Sequence, residues 1–586
     1  MVPMKVLAAA IGQVLGLPLH PTHASISGGA WTPALWFLAS EQGAWYDPSD
    51  MSTLFQDAAG TTPVTAVEQP VGLVLDKRLG LVRGPEIIPT DATWIKIVAT
   101  ATVTQLAYNS FRVQAPNTGY ARCAIPIPFV VGDFYEIDFT VTSASGLGVR
   151  LDSLTGVDYL ANGRRKNIAR ASGAAGTSFI SFYAHTNTDS TVVIHSFRKL
   201  PGNHASQPTA ASRTVLSARK NLLLQTESLG TAPWSIGNAT ITTGQAANAV
   251  GQMTLCKVMA TATAATIVSQ QPSAVGSSAG NTVRFLARKG SGATDCNSFG
   301  LYNNSTTTLL SLFTVNYDTG TVTHSYGSGA TMTDLGGGLW EVIYTCTTGI
   351  ATGNSLTIYG GFTGNTETAG EFAYVGEFQL EHGSTATTYQ RVTTATDYDT
   401  VGFPHYLKFD GVDDFLVTGN IDFTATHEMT VVAGVQSPKT SQGMLLELGS
   451  SYDSTFPSFV NFVPNTADGK IFAAYHDAAG YGSYSTAAGV AINANVIAYS
   501  FDTAATTVSG KYPRFHLNGV NGMPSDASSI AAGAVFINAP LYIGRRAGTS
   551  TPFLGKLYQL VVRGALTADL TPGESFTAEK TGVTLP

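Results

Sequence analysis

From about residue 85 onward the chain repeats one texture. Runs of about five to eight residues alternate apolar and polar, and clusters of Gly, Asn, Asp and Ser separate them. A period of two places successive side chains on opposite faces of a half-buried strand. DFYEIDFTVT (133–142) sets Phe134, Glu136, Asp138 and Thr140 on one face and Tyr135, Ile137 and Phe139 on the other. In EFAYVGEFQLE (371–381) the same alternation gathers Phe372, Tyr374, Phe378 and Leu380 opposite Glu377, Gln379 and Glu381. KLYQLVVRG (556–564) reads as a more fully buried strand, and MTVVAGVQ (429–436) as a core strand. RFHLNGV (514–520) runs into Asn518-Gly519, a tight-turn dipeptide, with His516 expected to face outward. The pattern predicts an all-β protein of tandem antiparallel β-sandwich (jelly-roll) modules behind a short helical or irregular docking region.

Composition shifts divide the chain. LPGNHASQPTAASRTVLSARKN (200–221) and RVTTATDYDTVGFPH (391–405) read as linkers. The predicted units are a docking region 1–85, a first sandwich 86–200, a linker 201–218, a second sandwich 219–392 and a third sandwich 393–586. The first two sandwiches resemble distant copies, since GPEIIPTDATW (84–94) and RKNLLLQTESLGTAPW (219–234) both pass from an apolar strand through a polar turn to a tryptophan. Trp94, Trp234 and Trp340 are expected to anchor cores.

The start of the chain has the lysine, apolar run and small residues of a secretory leader, but another reading fits better. Met4, Leu7, Ala8, Ile11 and Leu15 form a helical stripe that Pro18 ends, predicting a short amphipathic helix. Gln13, Pro18 and His20 interrupt the run too early for a membrane span, so no membrane insertion is expected. Trp31, Trp36, Phe37, Trp45, Tyr46, Leu54 and Phe55 give the region more apolar surface than it can bury alone, which implies a partner.

Charge narrows the function classes. Of 586 residues only 12% are charged, while 44% are hydrophobic, so the chain has ample core material and a nearly neutral surface. The net charge of −7 and the lack of a basic run longer than Arg164-Arg165-Lys166 argue against nucleic-acid binding. Cys123, Cys256, Cys296 and Cys346 lack metal-ligand spacing and read as buried apolar residues.

The aspartates of YLKFDGVDDFLVTG (406–419) raise the sharpest chemical question. Asp413 and Asp414 offer hard oxygens for calcium, the one possible cofactor. The simpler reading makes Asp410-Gly411 and Asp413-Asp414 the turn of an opening hairpin. A catalytic carboxylate pair with Glu428 or Glu447 is a third reading, but the Glu-x-Asp-x-Glu cluster of jelly-roll glycosidases is absent. No histidine, serine or glycine-rich catalytic motif stands out, so no enzyme is expected and no catalytic residue is assigned. For a ligand surface, the glycine-punctuated stretch 473–489 presents Tyr475, His476, Asp477, Tyr481 and Tyr484, aromatics with polar neighbours.

Three stretches carry a resemblance. Residues 407–414 (LKFDGVDD), Leu541-Tyr542-Ile543-Gly544 and Gly555-Lys556-Leu557 resemble the concanavalin A-like, laminin-G-type domain. Asn221-Leu222-Leu223, Trp234, Gln379-Leu380-Glu381-x-Gly383 and Thr388-Tyr389-Gln390-Arg391 resemble the carbohydrate-binding-type sandwiches of phage structural proteins. GAWYDPSDMSTLFQDAAGTTPVTAVEQPVGLVLDKRLG (43–80) is similar to a segment of tailed-phage virion proteins. These resemblances imply a virion protein of the tail fibre, baseplate or minor tail, more at the tail or baseplate than the head. Its start would dock on other virion proteins and its sandwiches would bind host-surface glycan or protein, in a homo-oligomer by family analogy. A structural spacer without a receptor and a polysaccharide depolymerase are the alternatives.

Overall fold

The computed structural model describes residues 31–38, 40–126, 130, 133–145, 148–151, 160, 162–171, 179–265, 267–277, 280–291, 298–361, 366–438, 441–449, 458–464, 469–477, 480–486, 490, 493–505, 507, 514–522, 526–527 and 535–586. The helix expected at residues 4–15 and Cys296 lie outside these. The architecture is all-β, with antiparallel sheets throughout the described strands and one α-helix among the described residues, α1 (Thr571–Thr581).

The largest unit is a sandwich of a nine-stranded and a ten-stranded sheet. It is a composite, which the expected division into units did not foresee. Strand Gly43–Tyr46 pairs with Leu554–Arg563, and Thr214–Ser217 pairs with Tyr406–Asp410. On the other sheet, Ala205–Ser206 joins Leu416–Asp422 to Leu73–Val74. The supposed linker 201–218 therefore contributes a short strand to each sheet, and the supposed docking region completes the third sandwich. Sequence separation hid this, because a two- to four-residue strand carries no readable period.

The other two sandwiches are insertions into this composite. The first has a four- and a five-stranded sheet, the second two six-stranded sheets. Each leaves the composite close to where it enters: the Gly84 amide donates to the Lys199 carbonyl at 2.9 Å, and the Asn221 amide to Gln390 Oε1 at 3.0 Å. The residues that carry the carbohydrate-binding-type resemblance form this second seam. Asn221 Nδ2 donates to the carbonyls of Phe378 and Gln390, and the Gln390 amide donates to Gln379 Oε1. Asn221, Gln379 and Gln390 are buried, so these three close the module from within.

Local sequence explains most strands and two departures. Tyr135, Ile137 and Phe139 enter the first core, while Glu136 and Asp138 are covered by Arg83, Lys166 and Arg164. In 371–381 the alternation breaks. Glu377 takes a left-handed φ of 54°, and the ladder to Asn281–Ser291 slips there. The bulge flips the phase, so Ala373, Val375, Phe378 and Leu380 face the core instead of Phe372 and Tyr374. Asn518-Gly519 makes the tight hairpin, with φ of 52° and 78°. His516 does point off the sandwich core, but α1 covers it and Glu574 Oε2 lies 3.0 Å from its Nδ1. Trp94 and Trp234 are buried in the first and second cores, and Trp340 packs half-buried against the second.

Candidate functional site

The docking aromatics find their partner within the chain. Trp36 and Trp45 pack with Val432, Val561 and α1, and Trp31 meets Trp36 edge-on at 5.2 Å. Phe37 is half-buried in the same cluster, while Tyr46 and Leu54 lie in the composite core. Phe55 packs at the contact between the composite and the first sandwich, beside Leu73, Phe134 and Leu200. Much of the apolar surface of these seven residues is thus covered within the chain.

The aspartates sit at a corner, not in a hairpin. Tyr406–Asp410 belongs to one sheet and Leu416–Asp422 to the other, so the segment between them crosses the edge of the composite sandwich. Asp410 Oδ1 accepts from the amides of Val412 and Asp413, and Asp414 Oδ2 from the amide of Asp410. Asp413 Oδ2 accepts from Ser212 Oγ at 2.7 Å. Each of the three offers a carboxylate oxygen within 4.8 Å of the others. These donors suit calcium in kind, but they fall short of the roughly six to eight oxygens it takes. Burial, reinforced by the charges of Asp410 and Asp413, pushes Asp414 up to about 7. Glu428 accepts from the Leu566 amide, and Glu447 is held by Arg546 and the Ala547 amide.

Of the expected ligand aromatics, Tyr475 is fully buried, against Phe501 and Phe536. It cannot present a ring to solvent. His476, Asp477, Tyr481 and Tyr484 occupy the paired strands Phe472–Asp477 and Gly480–Ser485, and their side chains lie outside the described set.

A site that sequence reading missed lies between the composite and the second sandwich. It is a crevice of about 460 Å³, within the roughly 300–1,000 Å³ of small-molecule sites. Its floor is the outer face of the nine-stranded sheet, where Tyr406, Lys408 and Lys556 point away from the core occupied by Leu407, Phe409 and Leu557. The facing wall comes from the second sandwich: Leu222, Leu224, Pro233, Pro272 and Val275, with Gln271, Ser273 and His382 among them. A smaller recess of about 110 Å³ continues past Lys556 toward Asn493 and Glu381.

Its electrostatics are unusual for a chain of net charge −7. Lys408 and Lys556 are directly opposite one another in the ladder, a like-charge arrangement that destabilises a sheet. Lys556 Nζ lies 4.5 Å from the centre of the Tyr406 ring. Burial lowers Lys556 to about 7, and Lys220, Lys408 and Arg219 push the same way. Arg219 spends its guanidinium on the carbonyls of Asn221, Leu222 and Leu223. Burial also drops His382 to about 4, leaving it neutral with Nε2 3.1 Å from the Val275 carbonyl. The acids nearby are occupied: Glu68 accepts from Ser217 and Tyr398, and Glu381 from Thr387 and Gln379. The missed signal was Lys408 and Lys556 themselves, each flanked by core residues on its own strand.

No family model matches the chain, and no curated protein matches it. Among solved structures, the N-terminal CBM22-1–CBM22-2 tandem domain of Xyn10C from Paenibacillus barcinonensis is similar over 55% of this chain and 100% of its own. The identity is 12% and the TM-score 0.23, too low to carry an argument.

Proposed function

We propose that the chain is a non-enzymatic virion protein of a tailed phage, in the tail fibre or baseplate, that binds host-surface glycan. The observation that carries the binding part is the crevice between the composite and second sandwiches. It pairs apolar walls with the amide of Gln271 and the hydroxyl of Ser273, the groups a sugar's mixed faces require. The virion part rests on the resemblance of residues 43–80 and of the second and third sandwiches. Assembly with other virion proteins, and into a homo-oligomer, would multiply weak contacts by copy number.

The test uses the full chain, labelled and presented multivalently on host cells. Saturable binding, competition by intact virions and loss of binding on Gln271→Ala with Ser273→Ala are the expected results. Absence of saturable binding would leave the structural-spacer reading in its place. Release of reducing ends from host polysaccharide would establish the depolymerase instead.

A further inference from the structure

We infer that the ligand of the crevice carries a carboxylate, seated between Lys408 and Lys556, so that the site takes an acidic saccharide in preference to a neutral one. This rests on the glycan reading above and specifies its substrate class.

The argument begins with a cost. Strands Tyr406–Asp410 and Leu554–Arg563 have a register that sets Lys408 directly against Lys556. The outward row across the sheet continues with Val215 on one side and Gln436 on the other, so neither lysine has a carboxylate as cross-strand neighbour. No ion pair or hydrogen bond to an acceptor joins the exposed Lys408 or the half-buried Lys556 among the described residues, while most other half-buried cations here have one. Arg563, for example, makes a two-armed pair with Glu41 at 2.6 and 2.7 Å. An opposed lysine pair without a counter-charge, at the floor of a walled crevice, is destabilising as it stands. A ligand carboxylate between the two removes that cost.

The surroundings favour a saccharide over a bare anion. A compact inorganic ion would use the lysines and leave Leu224, Pro233, Pro272 and Val275 facing empty volume. A pyranose presents apolar C–H faces to those walls and hydroxyls to Gln271 and Ser273. The groups facing Lys556 are Lys408 and Tyr406 on its own sheet, Arg219 and Lys220 at the start of the second sandwich, and His382 and Glu381 on its last strand. Of these only Glu381 is acidic, and Lys220 lies 3.8 Å from it. Because Lys556 sits near 7 when the crevice is free, its ammonium is mostly present at pH 6 and mostly lost at pH 8. Binding a carboxylate then requires proton uptake above pH 7, so affinity falls as pH rises through 7.

The experiment compares a glucuronate-containing tetrasaccharide with the same tetrasaccharide reduced at the carboxyl to the primary alcohol. Calorimetry on the full chain runs at pH 6, 7 and 8. Competitive acetylation with mass spectrometry reads the reactivity of Lys556 in parallel. The acidic form is expected to bind at least about tenfold tighter at pH 6, to lose most of that advantage by pH 8, and to protect Lys556. Lys408→Met and Lys556→Met should each remove about tenfold of the preference. Both remove a repulsion, so their thermal midpoints should not fall, and Lys408→Arg should keep the preference. Equal affinity for the two forms, or lysine variants with an intact preference, would overturn the inference and leave glycan binding standing. Failure of both saccharides to bind would overturn the glycan reading itself, and protection of Lys556 by inorganic phosphate alone would overturn the saccharide class.

Discussion

Asp414 shows how one side chain at a sandwich corner couples stability to pH. In the folded chain it titrates near 7, because burial and the charges of Asp410 and Asp413 oppose its ionisation. An unfolded aspartate titrates near ~3.9. Between these values the folded state holds a proton that the unfolded state has lost. Its contribution is therefore full below about pH 4 and is lost as pH rises through 7. Asp414→Asn keeps an acceptor for the Asp410 amide and removes the ionisation. Its thermal midpoint should match the parent at pH 4 and exceed it at pH 8. Identical midpoints at pH 8 would show that the carboxylate ionises without cost. Calcium is tested by the same curve, since a cation at the corner would raise the parent's midpoint at pH 8 and leave the variant's unchanged.

At the scale of elements, the clearest dependence is that of α1 on Trp36. The helix begins at Thr571-Pro572 and ends at Gly582, whose φ of 73° closes it with a bond to the Ala578 carbonyl. Gly573 is buried where a Cβ would overlap the Trp36 ring. Alanine favours helix over glycine by about 1 kcal/mol, but overpacking costs about 1–3 kcal/mol. Gly573→Ala should therefore destabilise in denaturant titration, and less so when Trp36→Ala is already present. A stabilised single variant would mean that the tryptophan moves aside freely. The same helix marks what sequence could not disclose. Its buried positions are Gly573, Glu574, Thr577, Ala578 and Thr581, small or polar residues that leave no apolar stripe to find. The long strands were legible because both their faces have strict partners, as in Tyr135, Ile137 and Phe139. The departure of Phe372 and Tyr374 from the face of Phe378 was not, because the bulge at Glu377 is fixed by the neighbouring strand. The crevice was equally hidden, since each lysine alone looks like an ordinary outward residue and only the register opposes them.

The whole molecule is a sandwich assembled from three separated segments, with two modules inserted into it. That arrangement decides which pieces stand alone. Tyr46, Leu54, Val64, Val71 and Val74 of the first segment lie in the composite core. At about 1.5–3 kcal/mol per fully buried large side chain, five such residues contribute on the order of 10 kcal/mol, comparable to the net stability of a whole domain. A 393–586 fragment lacks them, together with strands Gly43–Tyr46 and Thr214–Ser217 and the indoles over Val432 and Val561. It should bind an apolar dye strongly and unfold without a sharp transition. The first insertion is different, because its ends meet at the Gly84–Lys199 bond and its core is its own. Removing 84–199 and joining Arg83 to Leu200 should leave a cooperative chain that keeps the labelling pattern of Lys556. Its stability should fall by the contacts that cross to the composite, among them those of Phe134 and Ile168 with Leu73 and Leu75 and the Arg83–Glu136 ion pair. A well-folded 393–586 fragment beside a collapsed deletion chain would reverse this order. The early segments would then decorate the third sandwich, and the first insertion would be the part that holds the molecule together.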